Sequence, residues 1–413
     1  MIKFDKFTLK NGLKVIVHKD KSTPIVAINI LYNVGSRDEN PNKTGFAHLF
    51  EHLMFGGSKN IPVYDKPLQL VGGENNAFTN TNITNYYLTL PKDNIETGFW
   101  LESDRMKNLN FSEKSLNVQR SVVIEEYKQR YLNQPYGDVW LMLRPLAYKK
   151  HPYRWATIGK DISHIENANL DDVKNFFNKY YAPNNAILTV AGDVETEQIK
   201  KYAEKWFGSI EKRNVPVRNL PAEPEQTEKR EKSIKKEVPF NAIYKAYHMC
   251  SRNDKNYHAT DLLSDILANG KSSRLYQSLV KKQKIFSNID AYITGDIDNG
   301  LFIITGQLIK GTDMDVADKS IEKELELIKT NHISEYELTK VKNKVETILE
   351  LSEMSVLNKA MNLSFHELLG DAENINLESK KYSDVNPKQI NDIANNIFKE
   401  SNCSTLFYNA IKQ

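Results

Sequence analysis

Two histidines and a glutamate interrupt the otherwise apolar stretch GFAHLFEHLMFGG at residues 45–57. In a helix, which turns by about 100° per residue, His48, Glu51 and His52 share one face within an arc of about 100°. Two imidazoles one turn apart are close enough to share a metal ion, and a carboxylate beside them could reach a metal-bound water. The order His-x-x-Glu-His is the inverted signature of zinc peptidases. The motif favours a zinc site, with Glu51 as general base, over a solvated polar face of a helix.

A catalytic zinc ion takes three protein ligands and keeps one position for water, so a third ligand must come from elsewhere in the chain. The predicted helix over 112–133 offers Glu125 and Glu126, and Gln119 lies seven residues before Glu126 on the same face. Two imidazoles and one carboxylate would leave zinc one net positive charge, so that its water ionises near neutral pH. Glu51 would take that proton and pass it to the leaving amine of a cleaved peptide.

Strands and helices alternate along the part of the chain that must position these residues. Their patterns predict strands over 24–34, 76–90 and 184–194, and helices over 92–108 and 112–133, the latter with Ser112 as its N-cap. Prolines and charges dominate residues 209–238, which are predicted to form a linker whose lysine-rich part is solvated.

An internal repeat divides the chain into two similar halves. AHLFEHLMFGG at 47–57 aligns with TDLLSDILANG at 260–270, and SEKSLNVQRSVVIEE at 112–126 aligns with SEYELTKVKNKVETI at 334–348. The repeat predicts two homologous α+β domains of about 200 residues, each a mostly antiparallel sheet with helices packed on one face. We expect the first at 1–215, a linker at 216–238 and the second at 239–413.

The second copy of the repeat keeps the aliphatic spacing but not the polar residues. Asp261, Ser264 and Asp265 stand where the first copy has His48, Glu51 and His52, and Ile348 stands where it has Glu126. The fold therefore does not need the polar residues at these places, which favours a function for them in the first half. The same comparison favours Glu126 as the third ligand, with Glu125 left as the alternative.

Composition excludes several other classes of protein. A net charge of +3 over 413 residues gives no case for a nucleic-acid partner, and no apolar run is long enough to span a membrane. Two distant cysteines, Cys250 and Cys403, exclude a disulfide framework. The first 20 residues predict two strands around an Asn-Gly turn and not a secretory signal. We therefore expect a cytoplasmic protein, or a periplasmic one if a leader has been trimmed.

Several segments together resemble the pitrilysin-like (M16) metallopeptidases, the group that includes insulin-degrading enzyme and the mitochondrial processing peptidase. They occur in family order over essentially the whole chain: GSRDE, GFAHLFEHLMFGGS, GGENNAFTN, TNYY, RSVVIEEYKQR, HPYRWATIG and YYAPNNAILTVAGDV. The chain is similar to the short bacterial branch, in which one chain holds two domains and two chains close around a chamber. The resemblance implies a zinc-dependent endopeptidase that hydrolyses peptides or unfolded segments inside that chamber, with one Zn²⁺ per chain.

The resemblance also assigns roles to individual residues. It implies that His48, His52 and Glu126 bind zinc and that Glu51 is the catalytic base. It further implies that an edge strand containing Asn76, Ala77 and Phe78 binds the substrate backbone by β-addition.

Two positions depart from the family pattern. Gln119 replaces a glutamate that supports the metal site, and Val280 and Ser287 stand where the second domain usually has an Arg and a Tyr that hold substrate. The departures imply either a homodimer or a heterodimer with a related M16 chain carrying the Arg/Tyr pair. The alternative function is a catalytically impaired or non-catalytic subunit, acting as a scaffold or as one half of a heterodimeric peptidase.

Overall fold

The computed structural model describes residues 1–331 and 333–411. The strands are β1 (Asp5–Thr8), β2 (Lys14–Lys19), β3 (Ile25–Tyr32), β4 (Glu74–Thr79), β5 (Thr84–Pro91), β6 (Ala186–Gly192), β7 (Arg230–Lys236), β8 (Ala242–His248), β9 (Phe286–Ile293), β10 (Leu301–Leu308) and β11 (Cys403–Ala410). The α-helices are α1 (Phe46–Leu53), α2 (Asp65–Leu70), α3 (Ile95–Asn108), α4 (Glu113–Tyr127), α5 (Val139–Ala147), α6 (Ser163–Glu166), α7 (Leu170–Tyr180), α8 (Thr196–Phe207), α9 (Tyr257–Ala268), α10 (Met314–Thr330), α11 (Glu335–Ser352), α12 (Val356–Leu368), α13 (Glu378–Ser383) and α14 (Pro387–Ile397). None of the helices formed by these residues combines the length and the apolar character that a membrane span requires.

The first compact unit combines residues 1–129, 155–220 and 350–377. Its sheet has the order β1-β2-β6-β3-β5-β4. In this sheet β2 pairs with β6 in parallel, and the other neighbours pair antiparallel. The strands β3 and β6 are buried along their whole length apart from Ile25 at the first end, because helices cover the two faces of the sheet.

The second compact unit combines residues 130–154, 221–349 and the chain from 378 onward. Its sheet has the order β7-β11-β8-β10-β9, with β7 parallel to β11 and the other neighbours antiparallel. The two-domain α+β prediction is confirmed. The later part of the predicted linker differs, since it forms the edge strand β7. Its side chains are exposed or half-buried, so the strand shows no apolar alternation in sequence.

One helix on each sheet comes from the other half of the chain. On the first sheet, Val356 and Ala360 of α12 pack against Ala27 and Ala191, while the neighbouring Asn29 donates a hydrogen bond to Ser364 Oγ at 2.9 Å. On the second sheet, α5 packs against β8 and β11. Helices therefore lie on both faces of each sheet, and the repeat did not predict the second layer.

The matching helices of the repeat form as predicted. The helix with the polar motif, α1, corresponds to α9, and α4 corresponds to α11. Ser112 caps α4 by accepting the Ser115 N–H at 3.1 Å. At the start of α11, Ser334 and Glu337 accept each other's backbone N–H groups, which is a capping box.

Candidate metal centre

The apolar face of α1 fixes how this short helix lies on the first unit. Phe46, Leu49, Phe50 and Leu53 are buried, as the helical spacing predicts. The Phe50 ring stacks on Phe176, with 5.1 Å between the ring centroids. The opposite face of α1 is thereby turned outward, and it carries the half-buried His48, Glu51 and His52.

Helix α4 packs against α1 and brings Glu126 to the two histidines. Glu126 Oε2 lies 3.3 Å from His52 Nε2 and 3.7 Å from His48 Nε2. The side chains of His48, His52 and Glu126 are 12%, 22% and 18% exposed, respectively. Glu125 lies elsewhere on the surface of α4, where it is 57% exposed and pairs with Lys128. The structure thus brings Glu126, and not Glu125, to the histidines.

The donor set fits a zinc ion. One ligand atom from each of His48, His52 and Glu126 lies within 4.8 Å of the others, so one ion could reach all three. Two imidazole nitrogens and one carboxylate oxygen form the mixed set of a catalytic zinc site, which leaves a fourth position for water. The two imidazole rings stand nearly perpendicular, at 85°, with 4.9 Å between their centroids.

The charge of Glu51 acts on two buried tyrosines of the first unit. Burial, with a smaller contribution from the Glu51 charge, raises the pKa of Tyr86 and of Tyr181 well above the ordinary value. Both phenols therefore stay protonated at neutral pH. The Tyr86 hydroxyl donates to the Phe50 carbonyl oxygen at 3.4 Å, which ties this wall of the site to α1.

The buried ion pair between Arg105 and Glu102 packs against the ring of Tyr86. Arg105 donates to Glu102 at 2.6 and 2.9 Å, and its guanidinium carbon lies 4.4 Å from the centroid of the Tyr86 ring. The guanidinium also lies over Tyr64, at 4.7 Å, and the Tyr64 hydroxyl donates to Glu102. The cation over the aromatic rings and the paired carboxylate stabilise the positions of Tyr64 and Tyr86.

The predicted substrate strand is β4, which lies beside α1 at the end of the first sheet. Within the described residues, its only strand neighbour in the sheet is β5. Asn76 and Phe78 are exposed and Ala77 is half-buried. The Ala77 N–H donates to its neighbour's side chain, Asn76 Oδ1, at 2.8 Å. An exposed edge with such a donor suits the addition of an extended peptide.

The second copy of the motif forms ordinary polar contacts. Asp261 accepts a hydrogen bond from the Tyr382 hydroxyl at 2.6 Å, Asp265 pairs with Lys344 at 3.2 Å, and Ser264 Oγ donates to the Asp261 carbonyl oxygen. In the described part of the chain, no group of metal-ligating side chains forms there; such a group occurs only at His48, His52 and Glu126.

The departing positions lie on both units. Gln119 is half-buried on α4, seven residues before Glu126. Val280 packs against the core of the second unit, and Ser287 on β9 donates its hydroxyl to the Gln307 carbonyl oxygen at 3.1 Å.

Sequence reasoning missed Glu39, a buried carboxylate at the start of α1. Glu39 accepts the backbone N–H groups of Gly45 and Ala47 and the indole N–H of Trp155. Burial raises its pKa to about 8, although these three donors favour the ionised form. Its only signal in the sequence is its place in GSRDE, since its partners lie at no standard capping distance.

Comparison with known proteins places the chain in a family. Residues 14–159 match the family model described as "Insulinase (Peptidase family M16)", and residues 167–345 match "Peptidase M16 inactive domain". The zinc protease PqqE of Helicobacter pylori is 31% identical over 98% of this chain and 92% of its own length.

The chain belongs to the M16 peptidase family.

One solved structure and one further relative align with most of the chain. The crystal structure of a protease from H. pylori, 30% identical, covers 99% of this chain and 100% of its own with a TM-score of 0.92. The mitochondrial-processing peptidase subunit beta of Saccharomyces cerevisiae is 26% identical over 83% of this chain and 77% of its own length. Its name identifies it as one subunit of an assembly.

Proposed function

We propose that this M16 chain is a zinc-dependent endopeptidase that cleaves peptides or unfolded segments inside a chamber formed with a second chain. The observation that carries the proposal is the convergence of His48, His52 and Glu126 beside Glu51 in the first unit. In the second unit, the same positions of the fold bear residues engaged in ordinary polar contacts.

The residues of the site divide the chemistry between them. His48, His52 and Glu126 would hold one zinc ion. When bound, zinc supplies an acidified water and polarises the scissile carbonyl. Glu51 takes the proton of the attacking water and delivers it to the leaving amine nitrogen. The edge of β4 binds the substrate backbone, so that the scissile bond is presented to the face of α1 that carries Glu51.

A second chain completes the site in this proposal, as a homodimer or as a heterodimer with a related M16 chain. Val280 and Ser287 favour the heterodimer, because an apolar side chain packed against the core and a short hydroxyl cannot replace an Arg and a Tyr. The alternative function is that of an impaired or non-catalytic subunit. Val280 and Ser287 favour this alternative as well. The presence of every zinc ligand and of Glu51 in the first unit opposes it.

The test is the zinc content of the purified chain and cleavage of a quenched fluorescent peptide, alone and with candidate partner chains. Glu51→Gln should retain zinc and lose cleavage. Ser264→Ala is the matched control, because Ser264 is the residue of the second copy that aligns with Glu51. The wild-type chain could bind zinc and yet show no Glu51-dependent cleavage with any partner tested. That result would contradict the proposed peptidase activity and support the non-catalytic subunit.

A further inference from the structure

Helix α1 begins without a capping side chain of its own. Its N-cap residue is Gly45, with a φ of +88°, and the first N–H groups of any helix have no partner within the helix. A Cβ at Gly45 would lie 2.7 Å from the Ile158 carbonyl oxygen and 2.8 Å from the Ile165 side chain. A serine, threonine or aspartate cap therefore does not fit, and the donors at the start of α1 need an acceptor from another part of the chain.

The carboxylate of Glu39 is that acceptor. Its Oε2 accepts the Gly45 N–H at 3.0 Å and its Oε1 accepts the Ala47 N–H at 2.9 Å. Glu39 is only 6% exposed, so water competes little for these bonds. Ala47 immediately precedes His48, and the backbone that Glu39 holds is therefore the backbone that carries the first histidine.

Trp155 holds the carboxylate in its turn. The indole N–H donates to Glu39 Oε2 at 3.1 Å and to the Ser36 carbonyl oxygen at 2.9 Å. Trp155 is 2% exposed, and its packed ring can adopt few other orientations. The carboxylate thus has three donors, two from the start of α1 and one from a fixed side chain of the same unit.

We propose that Glu39 is a positioning residue for the metal centre, acting through the N-terminus of α1, and that Trp155 keeps its carboxylate in place. The inference rests on the proposed function, because it concerns the same metal ligands and the same proton transfer. With eight residues, α1 makes only about two turns. A tilt at its first turn therefore moves Glu51 and His52 as well as His48, and a displacement of about 1 Å can lower a rate about a hundredfold.

Two variants test the link at different points. Glu39→Gln keeps the size of the side chain but replaces one carboxylate oxygen by an NH₂ group, which would face a backbone N–H donor. Trp155→Phe keeps an aromatic ring and removes the indole N–H together with the smaller ring that carries it. The matched control is Asp313→Asn, since the Asp313 carboxylate also accepts two backbone N–H groups, at 2.9 and 3.1 Å, at the start of α10. That helix carries no residue of the proposed site.

The experiment combines Co²⁺ binding with steady-state kinetics on the full chain, with its partner chain if activity needs one, at a pH above the Glu39 pKa of about 8. We expect Glu39→Gln to lower Co²⁺ affinity and kcat by roughly tenfold each, with KM unchanged. Its visible Co²⁺ spectrum should change as well, because the ligands are displaced. Trp155→Phe should shift all three in the same direction by less, and Asp313→Asn should match the wild type.

The inference is overturned if Glu39→Gln keeps the wild-type Co²⁺ spectrum, affinity and kcat while only its thermal midpoint falls. Equal losses in Asp313→Asn would also overturn it, since the effect would then follow general destabilisation. If Glu39→Gln does not fold, Trp155→Phe decides by the same readouts. A wild-type chain that binds Co²⁺ but cleaves no peptide contradicts the proposed function alone, because the Co²⁺ spectrum still tests Glu39. A wild-type chain that binds no Co²⁺ overturns both.

Discussion

His52 Nε2 and Glu126 Oε2 lie 3.3 Å apart, although 73 residues separate them in the chain. The approach depends on two features of local structure. The apolar face of α1 packs inward and turns His52 outward, and Ser112 caps α4 so that this helix begins at a defined residue. The packing of α4 on α1 then brings Glu126 to the two histidines.

The first prediction compares Glu126→Gln with Glu125→Gln. Removing the charge of Glu126 should weaken zinc binding by at least about a hundredfold, because losing a partner outside the ligand set already costs about 10- to 100-fold. Glu125 is exposed and pairs with Lys128, so its change should leave zinc affinity as in the wild type. Competition with a chelator measures both. Equal zinc affinities in the two variants would show that Glu126 is not a ligand.

The second prediction concerns the edge strand β4. Ala77→Pro removes the N–H that donates to Asn76 Oδ1. Proline is tolerated on edge strands, so the fold should be kept. If substrates add to this edge, the loss of one backbone bond should raise KM by about fivefold and leave kcat unchanged. Steady-state kinetics on an extended peptide measures the change.

Ala77→Gly is the control for this experiment, because it removes the side chain and keeps the N–H. It should have a KM near that of the wild type. A KM that rises equally in Ala77→Gly, or one that stays constant in Ala77→Pro, would count against peptide binding at this edge.

The third prediction uses two glycines with a similar backbone and different surroundings. Gly45 and Gly270 have φ values of +88° and +96°. A Cβ at Gly45 would meet the Ile158 carbonyl, whereas no atom of the described residues lies within 4 Å of a Cβ at Gly270. Alanine at Gly270 should therefore cost about 1–2 kcal/mol through backbone strain alone. At Gly45 the overlap should add about 1–3 kcal/mol.

Thermal unfolding of Gly45→Ala and Gly270→Ala measures the difference between the two costs. Gly45→Ala should also lower zinc affinity, since it displaces the start of α1. Equal stabilities of the two variants would show that the loop before α1 accommodates the added Cβ at no cost in free energy.

Sequence predicted the parts of the site that depend on helical period. His48, Glu51 and His52 share a face because three- and four-residue spacings always do so. The repeat favours Glu126 over Glu125 as the third ligand. The packing of α4 on α1 agrees, because it turns the Glu126 carboxylate to the histidines and the Glu125 carboxylate to solvent. Neighbouring residues of one helix differ by about 100° in direction, so only the packing partner distinguishes them.

Other features left no pattern to recognise. Glu39 meets α1 outside the spacing of a capping box, and its second partner, Trp155, lies 116 residues further along the chain. The strand β7 has no buried face, so its sequence resembles that of a linker. The sequences of α5 and α12 predict which face of each helix is buried but not which sheet it covers. Helix α5, in the first half of the chain, covers the second sheet, and α12, in the second half, covers the first.

The last prediction is a pH dependence in the second unit. Glu337 accepts two hydrogen bonds from Arg274, at 2.8 and 2.9 Å, and belongs to the capping box of α11. The Arg274 hydrogen bonds, opposed by burial, lower the pKa of Glu337 from its ordinary 4.5 to about 2. A carboxylate with a lowered pKa stabilises the fold above the unfolded-state pKa and ceases to do so as the pH falls through the folded-state value.

Glu337→Gln should therefore lower the free energy of unfolding by about 2 kcal/mol at neutral pH, a figure reduced from the full pKa shift because the side chain is partly exposed. The difference from the wild type should shrink between pH 4.5 and about 2, as the wild-type carboxylate is protonated. Unfolding followed over this pH range measures it, with Glu335→Gln, an exposed residue of the same helix, as control. A destabilisation that stays constant down to the lowest pH would show that it arises from the altered shape of the side chain and not from the loss of the Glu337 charge.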